Sequence, residues 1–406
     1  MIHICLGFQD KTGRYAKFTG TTILSIFENT TAPVTVHILH DDTLTPDNRD
    51  KFIYVAGHYG QIVKFYNVEK LFPEKIDEMM RLIPEAENSR VSHGAFYRLL
   101  APQIFPPEIK KCIYFDSDII VNLDIKELWQ VELDDKIFAA VPEILSHGTV
   151  DVMNIGFELC KDGLVKHEDY FNSGVLVTNL NLLRGEEQTI LDGLRFRAQN
   201  PRYQDYFDQN VLNYCFSTKT IKLSTKFNRF TSYAREEKES LAKKIYHYAG
   251  GSFGFGLGLD MNDPFNSLWM KYFVKTPWFN ENTIRNLYEG FKQAQADVKK
   301  SVMKISATLN GKARVFIIIE KTLDMLLENF FVREDEDVFV LEDGTPMQKI
   351  IDVIYASREE KKFFILIQNF PFNALEEAGL VRGKDFFDGF DFLAKYYNSY
   401  PLVKNM

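Results

Sequence analysis

What most constrains this chain is the way short apolar runs alternate with longer amphipathic stretches from its start. Residues 2–6, 34–39 and 62–68 read as strands, and segments of helical spacing separate them. Ile23 and Phe27 stand one turn apart in the stretch 18–28. Thr45 supplies an N-cap to a helix running towards His58, with Pro46 at its first position, where a missing N–H costs nothing. Strands separated by helices need crossovers rather than hairpins. The pattern therefore predicts a βαβαβ unit beginning at the first residue: an α/β fold whose Rossmann-like sheet carries helices on both faces.

The next apolar run has a different ending. A helix is expected around residues 92–100, Pro106-Pro107 interrupts the chain, and Cys112-Ile113-Tyr114-Phe115 then runs into Asp116-Ser117-Asp118, followed by Ile119-Ile120-Val121. Charges set between apolar runs are expensive to bury without a counter-ion. Carboxylates at the carboxyl end of a central strand lie where open α/β sheets bind ligands. Two such groups suit a hard divalent cation that bridges a diphosphate. Asp335-Glu336-Asp337 repeats the spacing, but in a charged loop, where a solvated turn explains it.

At 406 residues the chain exceeds what one core usually organises, so two domains are expected. A catalytic domain is assigned to residues 1–281 and a helical connector to 282–310. Residues 311–406 are assigned to a small Rossmann-like add-on with strands at 314–319, 337–341 and 363–367. Its first strand leads into Glu320-Lys321-Thr322 instead of a glycine-rich turn, so it reads as an interaction or stabilising module, open to a protein partner, rather than a second nucleotide site.

A net charge of −8 argues against nucleic acid as a partner, because duplex binding needs clustered cations. Cys5, Cys112, Cys160 and Cys215 show no CxxC spacing and read as reduced. Residues 2–6 are already strand-like, leaving no leader pattern, and no apolar run nears the roughly 18 to 20 residues of a membrane span. The expected location is cytoplasmic, with peripheral attachment at the inner membrane face as the alternative.

Taken in order, Arg98-Leu99-Leu100, Tyr114-Phe115-Asp116-Ser117-Asp118, Phe171-Asn172-Ser173-Gly174-Val175, Asp208-Gln209 and His247-Tyr248-Ala249-Gly250 resemble the retaining glycosyltransferases of family 8, which include bacterial lipopolysaccharide galactosyltransferases and glycogenin. The resemblance runs from residue 2 to about residue 280. It implies a GT-A fold, a UDP-galactose or UDP-glucose donor, a glycan or glycoprotein acceptor, and Mn²⁺ held by Asp116, Asp118 and His247. By the same resemblance Leu6, Gly7, Phe8 and Asp10 receive the nucleoside. Arg98, Asp116, Ser117, Asn172, Ser173 and Gly250 contact the rest of the donor, Asp208 orients its sugar, and Gln209 lies under the anomeric carbon as the catalytic amide. The C-terminal add-on resembles that of accessory transferases in adhesin glycosylation.

Two positions depart from the family pattern: Phe253 stands where a phosphate-contacting lysine is usual, and Glu143 where an aspartate that touches the donor sugar is common. The glycine-rich segment 251–258 is a candidate lid. A phosphatase of the haloacid dehalogenase type also ends a strand in Asp-x-Asp, but near the start of its domain. A nucleotidyltransferase needs a basic glycine-rich loop after its first strand. A UDP-sugar-binding protein with little turnover is the reading that Phe253 motivates.

Overall fold

The alternation of apolar runs becomes a central sheet. The computed structural model describes residues 1–84, 93–143, 158–249, 261–309, 312–323, 326, 336–342 and 344–392. The chain divides into two compact units, Met1–Thr283 and Ile284–Asn405. The strands of the first unit are β1 (Ile2–Gly7), β2 (Val34–His40), β3 (Ile62–Asn67), β4 (Lys111–Phe115), β5 (Ile119–Val121), β6 (Phe138–Ala140), β7 (Val175–Asn179), β8 (Thr220–Lys222), β9 (Arg229–Phe230) and β10 (Ile245–His247). Seven of them form a mixed sheet in the order β3-β2-β1-β4-β7-β6-β8, and β5-β10-β9 form a second, small sheet.

Side chains alternate across the main sheet with period two, and both faces are apolar. Ile4, Ile113, Phe115, Val175 and Val177 pack on one side with Ile23 and Phe27 of the helix Arg14–Asn29. Cys5, Cys112, Tyr114 and Leu176 pack on the other with Phe96, Tyr97 and Leu194. Each fully buried aliphatic or aromatic side chain contributes about 1.5–3 kcal/mol. Thr45 accepts a hydrogen bond from the Asn48 N–H and so starts the helix Pro46–His58 as its sequence requires.

Two local differences from the sequence reading have physical causes. Residues His93–Leu100 form a 3₁₀ helix, and α-helix resumes only over Ala101–Ile104. Pro102 has no N–H to return to the carbonyl of Arg98, so the 3₁₀ segment is not joined to the α-helical turn by an α-type bond at that point. In the second unit β11 (Ala313–Ile319), β12 (Asp337–Leu341) and β13 (Lys361–Leu366) are joined by a fourth strand, β14 (Phe386–Asp388), in an all-parallel sheet of order β12-β11-β13-β14. Three residues carry too little periodicity to announce a strand. That sheet too is apolar on both faces, with Phe316 and Phe364 on one and Val315 and Phe363 on the other. The helix Glu281–Leu309 precedes it in sequence. All four cysteines are free. Among the described residues, no helix is long and apolar enough to cross a membrane.

Candidate active site

β4 is the fourth of seven strands, and the chain leaves its carboxyl end at Phe115 through Asp116-Ser117-Asp118 into β5. β10 pairs antiparallel with β5 and sets His247 opposite Ile119. The Tyr248 N–H donates to the Asp118 carbonyl at 2.9 Å. This pairing brings the imidazole to the two carboxylates. His247 Nε2 lies 3.3 Å from Asp118 Oδ1 and 4.0 Å from Asp116 Oδ2. One ligand atom from each of the three side chains lies within 4.8 Å of the others.

The trio fits a divalent cation. Its donors are two carboxylate oxygens and an imidazole nitrogen, a set better suited to Mn²⁺ than to Mg²⁺. Gly174 leaves the space beside it open, because a Cβ there would fall 2.5 Å from His247 Cε1 and 2.9 Å from Asp116 Oδ2. Gly174→Ala is therefore expected to weaken the binding of a divalent cation at the trio by about tenfold or more, and to cost about 1–3 kcal/mol of stability through overpacking. Titration calorimetry and urea unfolding read the two effects, and an unchanged metal affinity would contradict this placement. Burial opposes the charge on His247, but Asp118 and then Asp116 outweigh it, so without a metal its pKa stands above the ordinary value.

Arg98 lies buried behind the aspartates, on the 3₁₀ helix. Its Nε–H donates to the Ala95 carbonyl at 3.0 Å, and its terminal nitrogens donate to the Ser173 carbonyl at 2.7 Å and to Asp116 Oδ1 at 2.5 Å. Its guanidinium lies 3.8 Å from the centroid of the Tyr114 ring. Burial disfavours its charge, yet Asp116 and Asp208 more than restore it, so it stays protonated. Asp208 Oδ2 is 3.2 Å from Nε, but the one Nε hydrogen is given to Ala95, so the contact is Coulombic without a hydrogen bond to that oxygen. Burial accordingly pushes the Asp208 carboxyl up to about 6, against the pull of Arg98.

Gln209 anchors a second polar cluster. Its Oε1 accepts from Asn172 Nδ2 at 3.1 Å and the Ser173 N–H at 3.0 Å, while its Nε2 donates to Glu143 Oε2 and to the Tyr170 hydroxyl, each at 3.3 Å. Tyr206 and Phe207, just before it, have positive φ of 59° and 46°, a conformation disfavoured for such residues and found more often at functional sites than elsewhere.

The sequence-selected residues do not all converge. Arg98, Asp116, Asp118, Asn172, Ser173, Asp208, Gln209 and His247 are joined by these contacts. The Ser117 hydroxyl instead meets that of Thr19 at 2.8 Å, away from the trio. Leu6 and Phe8 have core side chains, Phe8 against Phe52. Asp10 accepts from the Ala16 N–H and from Asn48, bonds that tie the loop to the helices Arg14–Asn29 and Pro46–His58, and burial raises its pKa to about 6. Gly7 lies close to the Gly94 carbonyl. Gly250, Phe253 and the segment 251–258 lie outside the described residues. Tyr170 and Asn228, both hydrogen-bonded within the site, were not singled out from sequence. Only the Phe171-Asn172-Ser173 run beside Tyr170 hinted at that position.

Known proteins give the arrangement its class. Over residues 5–252 the chain matches the sequence model of Glycosyl transferase family 8. It is 24% identical over 291 residues to General stress protein A of Bacillus subtilis, covering 67% of this chain and 93% of that one. A putative glycosyltransferase of Haemophilus influenzae is 27% identical over 247 residues, covering 58% and 68% respectively. A solved structure of the galactosyltransferase LgtC with donor and acceptor sugar analogues superposes with a TM-score of 0.53 at 17% identity, covering 69% of this chain and 98% of that one. The family model and the fold together define a GT-A glycosyltransferase. The chain belongs to glycosyltransferase family 8.

Proposed function

We propose that the first unit moves galactose or glucose from a UDP donor to a hydroxyl of a glycan, retaining configuration by a Mn²⁺-assisted front-face substitution. The observation that carries the reading is the meeting of Asp116, Asp118 and His247 at the end of the central strand. In this reading those three side chains hold the ion, which supplies electrostatic stabilisation of the departing diphosphate. Arg98 fixes Asp116 and the Ser173 carbonyl in place through its hydrogen bonds. Asp208 orients the donor sugar. Gln209, a neutral amide and a poor nucleophile, stabilises positive charge at the reacting carbon. The acceptor is an O-glycan of a bacterial surface glycoprotein or a cell-envelope oligosaccharide, and the second unit serves for interaction or stability.

A panel of UDP-sugars tested for hydrolysis and transfer, with Mn²⁺ and with chelator, decides the matter. Metal-dependent turnover of UDP-galactose or UDP-glucose is expected. UDP binding without turnover of any donor would make the protein a binding module instead. Gln209→Ala should lower kcat about 10- to 100-fold while donor affinity stays within about threefold. Weakened binding with normal turnover would remove Gln209 from the reacting centre.

A further inference from the structure

Two backbone N–H groups, of Gly174 and Ser173, fix the orientation of the amides around the trio. The Gly174 N–H lies 2.9 Å from one side-chain atom of Asn172, and a main-chain N–H can only donate, so that atom is the oxygen. The Asn228 atom 2.7 Å from the same oxygen must then be its NH₂. The other end of the Asn228 amide, its Oδ1, therefore faces His247 Nδ1 at 3.0 Å. An oxygen there requires a hydrogen on Nδ1, so the proton given up when the ring takes a metal comes from Nε2, on the side of Asp118 and Asp116. On the far side, the Ser173 N–H fixes Gln209 Oε1, which also accepts from Asn172 Nδ2. Asn228 is fully buried, and Asn172, Gln209 and His247 nearly so.

From this geometry we infer that Asn228 is a positioning residue. It holds His247 in the tautomer that can ligate a metal and, through Asn172, ties the imidazole to the amide of Gln209. The inference rests on the metal reading proposed above. Replacing such an outer partner of a ligating histidine typically costs 10- to 100-fold in metal affinity.

The test measures Mn²⁺ affinity of the full chain, from the spectroscopic signal of free aqueous Mn²⁺, for the unaltered protein, Asn228→Ala and Asn228→Asp. Asn228→Ala is expected to bind about 10- to 100-fold more weakly. Asn228→Asp keeps an oxygen acceptor for Nδ1–H but has no donor for Asn172. It should bind Mn²⁺ within about threefold of the unaltered protein, yet at saturating metal and donor its kcat should fall about tenfold with little change in donor KM. If the unaltered protein binds no Mn²⁺, the metal reading itself fails. If it binds and Asn228→Ala, still folded by circular dichroism, binds equally well, the inference alone fails. Should Asn228→Ala not fold, Asn228→Asp decides: Mn²⁺ affinity near that of the unaltered protein with lowered kcat supports the role, and normal kcat overturns it.

Discussion

Asp118→Ala is expected to bind Mn²⁺ at least about 100-fold more weakly, to lose transfer activity, and to melt no lower than the unaltered protein in chelator. Metal and fold separate here for a physical reason. The Asp118 carboxylate is about one-third exposed, its side chain at 35% of full accessibility, so its removal opens no cavity in the core. In the metal-free protein its loss removes a partner of the His247 imidazole but also a like charge beside Asp116, and the two effects offset each other. In the metal site proposed above, the same carboxylate is one of three protein ligands. His247→Ala should lose metal similarly but also lower the melting temperature, because the buried ring packs edge-on against Phe230 at 4.9 Å. Metal titration, thermal unfolding in chelator and a transfer assay measure the three effects. Full transfer activity in Asp118→Ala would sink the assignment.

How much of this was legible in the sequence depends on the length scale of each contact. The βαβαβ start was readable because side-chain periodicity is local, and Asp116 and Asp118 were placed by the apolar run that precedes them. His247 was found through the order of family motifs. What brings it to the aspartates is a three-residue strand, β10, too short to show its pairing with β5. Asn228 gave no signal, since its function in the fold is a bond to a residue 19 positions away across β9 and β10. Gly174 is an ordinary turn glycine until the imidazole and carboxylate on its open side are seen. Asp10 was chosen for its residue type alone, and its bonds to the Ala16 N–H and to Asn48 join segments too far apart in sequence for any local pattern to show.

Arg98→Met should destabilise the metal-free protein by about 3–5 kcal/mol, because it leaves Asp116 and Asp208 facing a site from which the buried cation is gone. The effect should depend on pH with a definite sign. Asp208 in the folded protein has a pKa of about 6 against an ordinary 3.8, so the folded state holds this proton more tightly than the unfolded chain. Its contribution to stability is fully present below the ordinary value and is lost as pH rises through 6, a cost of about 3 kcal/mol by neutral pH. Removing Arg98 takes away the cation that restrains this shift, so the decline should deepen and extend to higher pH. Arg98→Met combined with Asp208→Asn has no carboxyl to titrate there and should recover part of the loss above pH 6. Urea unfolding in chelator at pH 5 and pH 8 tests this, and parallel pH dependence in the single and double variants would show that Arg98 and Asp208 are not coupled. Transfer should remain impaired in both variants even at pH 5, since Arg98 also holds Asp116 and the Ser173 carbonyl.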